Sequence, residues 1–429
     1  MQRYLILTTV DVQSRSNNRE HQIIAHLAPR FDETWVVYRR RCSRGTFRQI
    51  IRDALVPWAR TVDRNGVKLV EVNPLFNHFE GMAVEASGYR ELDSDAMATD
   101  RGVRRLLFAA ISGLGILKDI STMFFLGYFA WRRCPGRFDV ATALGPWGAI
   151  PGIALRKMQR VRSLVYEDRD YEPGFIRTPL RRRWASWLER VAMREADRVI
   201  SIGGRLANLR RRQTGRAIDV VPTGVDLARF PRVERSEPRP VLIYTGNMAA
   251  WSGLDVVLKA MPRIRLDIPA IQCVFVGSGL PHVREHLEQL ADELGIRDAV
   301  QFVGQVPYER VNSYLAEAGI GLALFQPTEL RQYAAPLKVL EYMAAGLPTI
   351  ATHYSEAADL LAAEDCGLAS DFNPDAFAGA VLNLLRDDQS YSRMSANARR
   401  SAERFDWSKL MTDEYNLLDA AWRRGRTKT

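Results

Sequence analysis

One stretch of this 429-residue chain is more informative than any other. It reads Pro336-Leu-Lys-Val-Leu-Glu-Tyr-Met-Ala-Ala-Gly-Leu-Pro348. An apolar strand pattern at 319–325 leads through a polar loop into this short helix, and a second strand follows from Pro348. Strand, loop, helix and strand make half of a doubly wound parallel sheet, in which ligands bind at the carboxyl ends of the strands. The stretch therefore predicts an α/β fold with a binding site beside this helix.

The start of the helix, from Ala335 through Leu337 to Lys338, has the chemistry of a phosphate site. Backbone N–H groups are unpaired at a helix start, and the positive end of the helix dipole lies there. Lys338 adds a point charge, and Glu341, one turn further, can accept hydrogen bonds from paired ribose hydroxyls. The alternative is an amphipathic helix whose lysine and glutamate are solvated.

Three further strands in the same half of the chain end in glycine turns. They are 241–247 with Gly246 and Asn247, 272–279 with Gly277 and Gly279, and 300–307 with Gly304 and Val306. Glycine at the carboxyl end of a strand lets the backbone approach a ligand closely. Glycine also simply makes turns, so it is the ordered repetition that favours a ligand site.

Together these residues resemble the retaining glycosyltransferases of family 4, also called glycosyl transferases group 1, which have the GT-B fold. The resemblance covers residues 197–425 well and the amino-terminal half loosely. It implies an α/β architecture of two Rossmann-like doubly wound parallel-sheet domains that face each other across a cleft. We predict an acceptor-binding domain at 1–225, a nucleotide-sugar-binding domain at 226–404, and a helix at 405–429 that crosses back to the first domain.

In that family the glycine loop after the first strand of the second domain faces the donor diphosphate, and here that loop contains Gly246 and Asn247. The family's later helix carries a glutamate that binds the nucleotide ribose, and Glu341 occupies its place. The resemblance thus implies that Gly277, Gly279, Gly304, Val306, Ala335 and Leu337 also belong to the donor site.

Two positions depart from the family pattern. A second glutamate near the donor sugar is common in relatives, and Tyr333 stands at that position. Relatives also commonly carry a basic pair after the glycine loop, where this chain has Asn247 and Ser252. Without the pair, neutralisation of the diphosphate would fall on Lys338, Arg331 and helix amides.

A predicted strand in the amino-terminal half ends in an acidic cluster at 165–172. Relatives often have a histidine near this point that faces the donor sugar, and Glu167 or Asp168 stands in its place. Either carboxylate could bind a sugar hydroxyl or stabilise positive character at the anomeric carbon. The alternative is that these acidic residues cap the next helix, but clustered acids at a sheet edge are costly without a partner. We therefore include Glu167 and Asp168 with Lys338 as candidate catalytic residues.

Alternating apolar patterns predict six strands in the first domain, at 4–10, 34–38, 67–72, 139–144, 163–167 and 198–202. The first loop, 11–19, contains no glycine, unlike the usual loop of the family. Its residues Asn17, Asn18 and Arg19 either contact a substrate or, as the favoured reading, precede and cap the following helix.

The charge is distributed unevenly along the chain. Residues 1–235 carry 41 Lys and Arg against 25 Asp and Glu, whereas the remainder carries 19 against 25. A positive half suggests an anionic partner such as a phospholipid surface or a polyprenyl diphosphate, and solvated arginine-rich faces are the alternative. Nucleic acid is the least favoured partner because no recognition motif accompanies the charge.

Residues 106–131 form the most apolar region, with Lys118 and Asp119 at its centre. Neither half reaches the roughly 20 residues that cross a bilayer. Flanking arginines and aromatic side chains favour a segment that lies in a membrane interface, although buried core helices would look much the same.

Size, composition and cysteine usage are those of an ordinary two-domain protein. The four cysteines (Cys42, Cys134, Cys273 and Cys366) are far apart in sequence and lack nearby histidines, which argues against structural zinc and for a reducing compartment. Residues 1–10 lack the apolar core of a signal peptide. We predict a cytoplasmic protein that lies peripherally on the inner face of the plasma membrane.

The resulting hypothesis is an enzyme that transfers a sugar, with retention, from a nucleotide-diphosphate sugar to a lipid-linked or envelope glycan acceptor. The resemblance implies a front-face displacement in which the leaving phosphate helps to deprotonate the acceptor. We expect no cofactor and no metal. Two alternatives stay open, namely a GT-B nucleotide-sugar epimerase and a non-catalytic partner subunit that binds nucleotide sugars.

Overall fold

The computed structural model describes residues 2–13, 19–41, 54–77, 103–176, 178–230, 237–335 and 337–427, without the side chains of 103–112 and 424–427. The chain separates into two compact units. Unit 1 comprises Met1–Val221 together with Met411–Thr429, and unit 2 comprises Pro222–Leu410. Asn17, Asn18 and Cys42 lie outside the described residues, as does Pro336.

Unit 1 is built on an eight-stranded sheet. Its strands are β1 (Arg3–Thr8), β2 (Glu33–Arg39), β3 (Trp58–Arg64), β4 (Val67–Asn73), β5 (Phe138–Leu144), β6 (Val161–Asp168), β7 (Arg198–Ser201) and β8 (Asp219–Val220). They follow the order β3-β4-β2-β1-β5-β6-β7-β8, and all neighbours are parallel except β3 and β4. The helices are α1 (Arg19–Leu27), α2 (Val103–Arg133), α3 (Gly145–Lys157), α4 (Pro179–Glu195) and α5 (Gly204–Thr214).

All six strands predicted in this half are confirmed to within about two residues, because their apolar residues are buried in the sheet. The strand β3 was missed since it is a mostly exposed, charged edge strand. The sequence does contain a signal for β3, namely the pair Asn65-Gly66, which favours a tight hairpin turn. In the structure these two residues connect β3 to β4 with positive φ values of 53° and 78°.

Unit 2 contains six strands that are all parallel. They are β9 (Val241–Thr245), β10 (Gln272–Val276), β11 (Val300–Gly304), β12 (Ile320–Ala323), β13 (Thr349–Thr352) and β14 (Gly367–Ser370), in the order β11-β10-β9-β12-β13-β14. The helices are α6 (Leu254–Asp267), α7 (Pro281–Glu293), α8 (Tyr308–Glu317), α9 (Glu329–Gln332), α10 (Leu337–Ala344), α11 (Glu356–Ala363), α12 (Pro374–Arg386) and α13 (Asp388–Ala402). The chain runs outwards from β9 to β11 and then returns to the other side of β9 with β12. The predicted doubly wound sheet is confirmed.

A final helix, α14 (Trp407–Thr427), begins in unit 2 and continues in unit 1. Within unit 1 its Tyr415 packs edge-on against Phe31, with ring centres 5.7 Å apart. The carbonyl oxygen of Ala421 accepts a hydrogen bond of 3.0 Å from the Ser163 hydroxyl. The carboxyl-terminal part of α14 is therefore integral to the core of unit 1.

The apolar region at 106–131 lies in one uninterrupted helix, α2. Lys118 and Asp119 lie within α2 and are both buried, with exposures of 5% and 4%. The opposite side of the helix is exposed and apolar, and its members are Leu114, Leu117, Ile120, Phe124, Tyr128 and Trp131. Within the described residues, no helix combines the length and apolar character needed to span a membrane.

Candidate functional site

The carboxyl edge of the unit 2 sheet gathers the glycine turns that the sequence singles out. Gly246 and Gly277 follow β9 and β10, and Gly304 ends β11, with φ values of 125°, 143° and 83° that residues other than glycine rarely adopt. The N–H of Gly246 donates to the Val276 carbonyl, and the N–H of Gly277 donates to the Gly304 carbonyl, each at 2.9 Å. The three turns are thus tied to each other across adjacent strands.

Gly277 and Gly279 are required by the packing of the neighbouring loop, whether or not a ligand is present. A Cβ atom on Gly277 would lie 1.8 Å from the carbonyl oxygen of Gly246, and one on Gly279 would lie 2.2 Å from the carbonyl oxygen of Met248. Both distances are far below contact distance. The sequence pattern favours close approach to a ligand at these glycines, and the structure supplies a packing reason for them.

Gly277→Ala is expected to lower the free energy of unfolding by about 2–3 kcal/mol, because the added methyl group meets backbone and the φ angle becomes strained. Gly379→Ala in α12 is the matched control, since a Cβ there meets nothing within 4 Å and alanine favours a helix. Denaturant unfolding of the two variants measures the difference, and equal stabilities would contradict the packing of the loops.

Lys338 lies at the centre of the candidate site. Its Nζ is buried and has no hydrogen-bond partner among the described residues. The ammonium lies 3.6 Å from the centre of the Tyr244 ring and 3.4 Å from the position of a Cβ on Gly246. A buried charge that lacks a hydrogen bond is costly. An anionic ligand beside the ammonium would therefore stabilise its charge.

Burial lowers the pKa of Lys338 to about 7; the carboxylate of Glu341 opposes this shift and the charge of Arg331 adds to it. An anion placed beside the amine would raise the pKa again. The protonation of Lys338 is therefore coupled to occupation of the site.

We expect a nucleoside-diphosphate sugar to bind with uptake of nearly one proton at about pH 8.5, where the amine of the free protein is mostly neutral, and with little uptake below about pH 6. Calorimetry in buffers of different ionisation enthalpy measures this proton. In Lys338→Met the uptake is expected to disappear, and an unchanged uptake in that variant would assign the proton to another group.

Glu341 is oriented by a tyrosine that the sequence reasoning missed. The Tyr308 hydroxyl, two residues after Val306, donates a 2.7 Å hydrogen bond to Oε1 of Glu341. Burial raises the pKa of Glu341, while this hydrogen bond and the charge of Lys338 lower it. In the described part of the chain, Oε2 of Glu341 accepts no hydrogen bond, so that oxygen could accept one from a ligand hydroxyl.

The other predicted donor residues line the same edge of the sheet. Asn247 is exposed, and its carbonyl oxygen accepts a 2.6 Å hydrogen bond from Tyr244, a second residue that sequence reasoning missed. Arg331 stacks its guanidinium 3.5 Å from the centre of the Trp251 ring. Ala335 and Leu337 are half-buried where α10 begins.

Ser252 and Tyr333 stand at the two positions that depart from the family pattern. Ser252 is fully buried, and its hydroxyl is hydrogen-bonded to the backbone of Ala249. It therefore offers no replacement for a basic residue. Tyr333 is half-buried at the end of α9.

Glu167 and Asp168 have buried partners of their own, and their expected contact with a sugar stays a prediction. Both are in unit 1 and are fully buried at the end of β6. Glu167 is ion-paired with Arg19, whose guanidinium also reaches Glu414. Asp168 accepts two hydrogen bonds from Arg210, at 2.8 and 3.1 Å. These arginines are the partners that the acidic cluster needs, so in this structure the carboxylates stabilise unit 1.

Arg19 was expected to cap α1 or to contact a substrate. Its guanidinium is instead buried between the two carboxylates, and the charges of Glu167 and Glu414 raise its pKa against the opposing effect of burial. Local sequence gives no indication of its partner Glu414, because Glu414 lies 395 residues further along the chain.

Comparison with known families is consistent with this geometry. Residues 228–401 match the family described as glycosyl transferases group 1. A GDP-mannose-dependent alpha-(1-6)-phosphatidylinositol monomannoside mannosyltransferase from Mycolicibacterium smegmatis is 25% identical over 64% of this chain and 75% of its own length. A D-inositol 3-phosphate glycosyltransferase from Geodermatophilus obscurus is 30% identical over 45% of each chain. With several other curated relatives the match spans only about half of their length.

Solved structures of similar fold cover nearly the whole chain. A sucrose-phosphate synthase from Thermosynechococcus elongatus has a TM-score of 0.69 at 16% identity, over 100% of both chains. HepE from Anabaena, solved in complex with UDP-glucose, has a TM-score of 0.62 at 16% identity, over 98% of this chain and 100% of its own. At this level of identity the likeness shows the fold alone, and it confirms the predicted GT-B fold.

Proposed function

We propose that this chain, whose residues 228–401 match the family described as glycosyl transferases group 1, transfers a sugar, with retention, from a nucleoside-diphosphate sugar to an acceptor. The proposed acceptor is a lipid-linked or envelope glycan. Two relatives are named for acceptors that contain phosphatidylinositol, which supports a lipid acceptor here.

One observation carries the proposal, namely the buried ammonium of Lys338 beside the Gly246 turn. It lies beside Gly246, which follows β9, and 5.6 Å from the centre of the Phe325 ring, just after β12. The direction of strand order reverses between β9 and β12. Crevices at such reversals are the usual ligand sites of doubly wound sheets. A diphosphate in this position would restore the charge of Lys338 and satisfy its unpaired N–H donors.

The proposed division of labour follows from the chemistry of each group. Lys338, the amides of the Gly246 turn and the first N–H groups of α10 stabilise charge that develops on the leaving diphosphate. Glu341, oriented by Tyr308, accepts hydrogen bonds from the ribose, and Arg331 supplies a second positive charge. The leaving phosphate takes the acceptor proton, so that no protein base, cofactor or metal is required in this proposal.

The test begins with a thermal-shift screen of nucleotide sugars that includes GDP-mannose and UDP-glucose. The ligand found is then supplied with membrane extract as acceptor, and NMR of the product reports the anomeric configuration. Transfer with retention is the expected result. Release of free nucleotide and an altered sugar without acceptor would indicate an epimerase, and binding without turnover would indicate a partner subunit.

We further propose that unit 1 docks peripherally on an anionic membrane on the cytoplasmic side. The exposed apolar side of α2 ends at Trp131 and is followed by the exposed Arg132 and Arg133. Aromatic side chains next to arginines are suited to the interface of an anionic bilayer. Helix α4 packs against α2 through a bidentate Arg181–Asp119 pair and adds the exposed Trp187.

Phe124→Glu and Trp131→Glu are each expected to weaken binding to vesicles with about 30% anionic lipid by at least tenfold, since a carboxylate replaces inserted aromatic surface. Leu266→Glu is the matched control, because Leu266 is an 86% exposed apolar residue on α6 of unit 2. Co-sedimentation measures the binding. If Phe124→Glu and Trp131→Glu weaken vesicle binding no more than Leu266→Glu does, the membrane contact lies elsewhere.

A further inference from the structure

Unit 1 contains a polar cavity of about 260 Å³ at the carboxyl edge of its own sheet. Thr9 follows β1, Arg39 ends β2, and Trp147 lies in the first turn of the helix after β5. The strand order reverses between β1 and β5, so the cavity occupies the position at which doubly wound sheets bind ligands. All its lining residues belong to unit 1, whereas Lys338 belongs to unit 2.

The walls of the cavity carry more positive than negative charge. Its cations are Arg39, Lys118 and Arg181, and its carboxyl groups are Asp119 and Glu172. Arg181 neutralises Asp119 through hydrogen bonds of 2.8 and 3.0 Å, and the Lys118 ammonium lies 3.8 Å from the same carboxylate.

Glu172 contributes little negative charge near neutral pH. Burial raises its pKa to about 8, and the charges of Asp170 and Glu189 raise it further, whereas Arg169 lowers it. A protonated carboxyl group donates a hydrogen bond, so it would favour an anion in the cavity.

Thr122 provides an independent observation that points to a ligand. Its side chain lines the cavity and is only 2% exposed. In the part of the chain that the structure describes, its hydroxyl has no hydrogen-bond partner. Buried hydroxyls are ordinarily paired, and a hydroxyl that lines a cavity together with cationic side chains is suited to contact a phosphate oxygen.

We propose that this cavity binds a phosphate group carried by the acceptor, through Arg39, Lys118 and the Thr122 hydroxyl. That the ligand is the acceptor rests on the proposed function, whereas phosphate binding at this cavity does not. The cavity has the volume of several water molecules, so it accommodates a phosphorylated headgroup and not merely a single ion. Helix α2 would then bind the headgroup with its buried polar side and leave its apolar side exposed.

The experiment measures calorimetric binding of glycerol 3-phosphate and of short-chain phosphatidic acid, with uncharged glycerol as the blank. The full chain carries Lys338→Met, so that phosphate binding in unit 2 contributes little. Lys118→Met and Thr122→Val are added singly, and Lys259→Met, an exposed lysine of unit 2, is the matched control. Each cavity variant is expected to weaken phosphate binding by about tenfold or more.

Thr122→Val separates a binding role from a structural one. Since the hydroxyl has no partner among the described residues, its removal is expected to leave the melting temperature unchanged or slightly higher while it weakens phosphate binding. A lower melting temperature with unchanged phosphate binding would overturn the assignment of Thr122.

The two phosphate ligands distinguish the source of the group. Tighter binding of phosphatidic acid supports a lipid acceptor, and equal binding supports a soluble phosphorylated one. Absence of binding to both, or binding that Lys118→Met and Thr122→Val leave unchanged, would overturn the inference. Nucleotide-sugar binding by wild-type protein is measured in parallel, so that a failure of the donor proposal is recognised separately.

Discussion

Lys338→Ala is expected to lower kcat by about 10²- to 10³-fold, because stabilisation of developing charge by a preorganised donor is typically worth that much. The ammonium is buried at 3.6 Å from the Tyr244 ring, where water cannot replace its effect on the diphosphate. Steady-state kinetics with saturating donor measures the loss. Lys338→Met removes the charge while it keeps most of the volume, so it is expected to lose a similar factor.

Lys259→Ala is the control for Lys338→Ala, because it removes the charge of a half-exposed lysine that pairs with Asp255 on the surface of α6. Thermal unfolding checks the fold of both variants. Removal of a buried charge that has no hydrogen-bond partner among the described residues is expected to stabilise Lys338→Ala. The cavity left by the shorter side chain opposes this gain in the free energy of unfolding. If Lys338→Ala and Lys338→Met retain wild-type kcat, Lys338 does not stabilise the leaving diphosphate.

The strands and turns of unit 2 were predictable because they depend on local patterns. Short apolar runs that end in Gly246, Gly277 and Gly304 specify both the strand and the left-handed backbone that ends it. The helix with Lys338 and Glu341 follows from the same kind of pattern. Their proximity to the first turn then follows from the order of a doubly wound sheet.

The environment of each charged group could not be read from local sequence. The contact between Glu341 and Tyr308 joins residues 33 positions apart, and that between Arg19 and Glu167 joins residues 148 apart. No periodicity encodes such pairs, so the sequence alone does not show that buried arginines bind the acidic cluster at the end of β6. For the same reason the apolar composition of α2 did not reveal that Lys118 and Asp119 are buried while Phe124, Tyr128 and Trp131 are exposed.

Arg210→Met is expected to lower the free energy of unfolding by about 3–5 kcal/mol, because it leaves buried carboxylates without their counter-ion. Arg210 is 1% exposed. Its guanidinium binds both oxygens of Asp168, at 2.8 and 3.1 Å, and both oxygens of Glu189, at 2.6 and 2.9 Å. Denaturant unfolding at neutral pH measures the loss.

Arg212→Met is the matched control for Arg210→Met, because Arg212 lies on the same helix, α5, and is exposed. Its stability is expected to change by no more than about 0.5 kcal/mol. Asp168→Asn extends the test, since it removes the charge that Arg210 binds. If Asp168 has a structural role, its substitution lowers stability and leaves kcat per folded molecule nearly unchanged. A stable Asp168→Asn protein with strongly reduced kcat would restore the catalytic role that the sequence suggested.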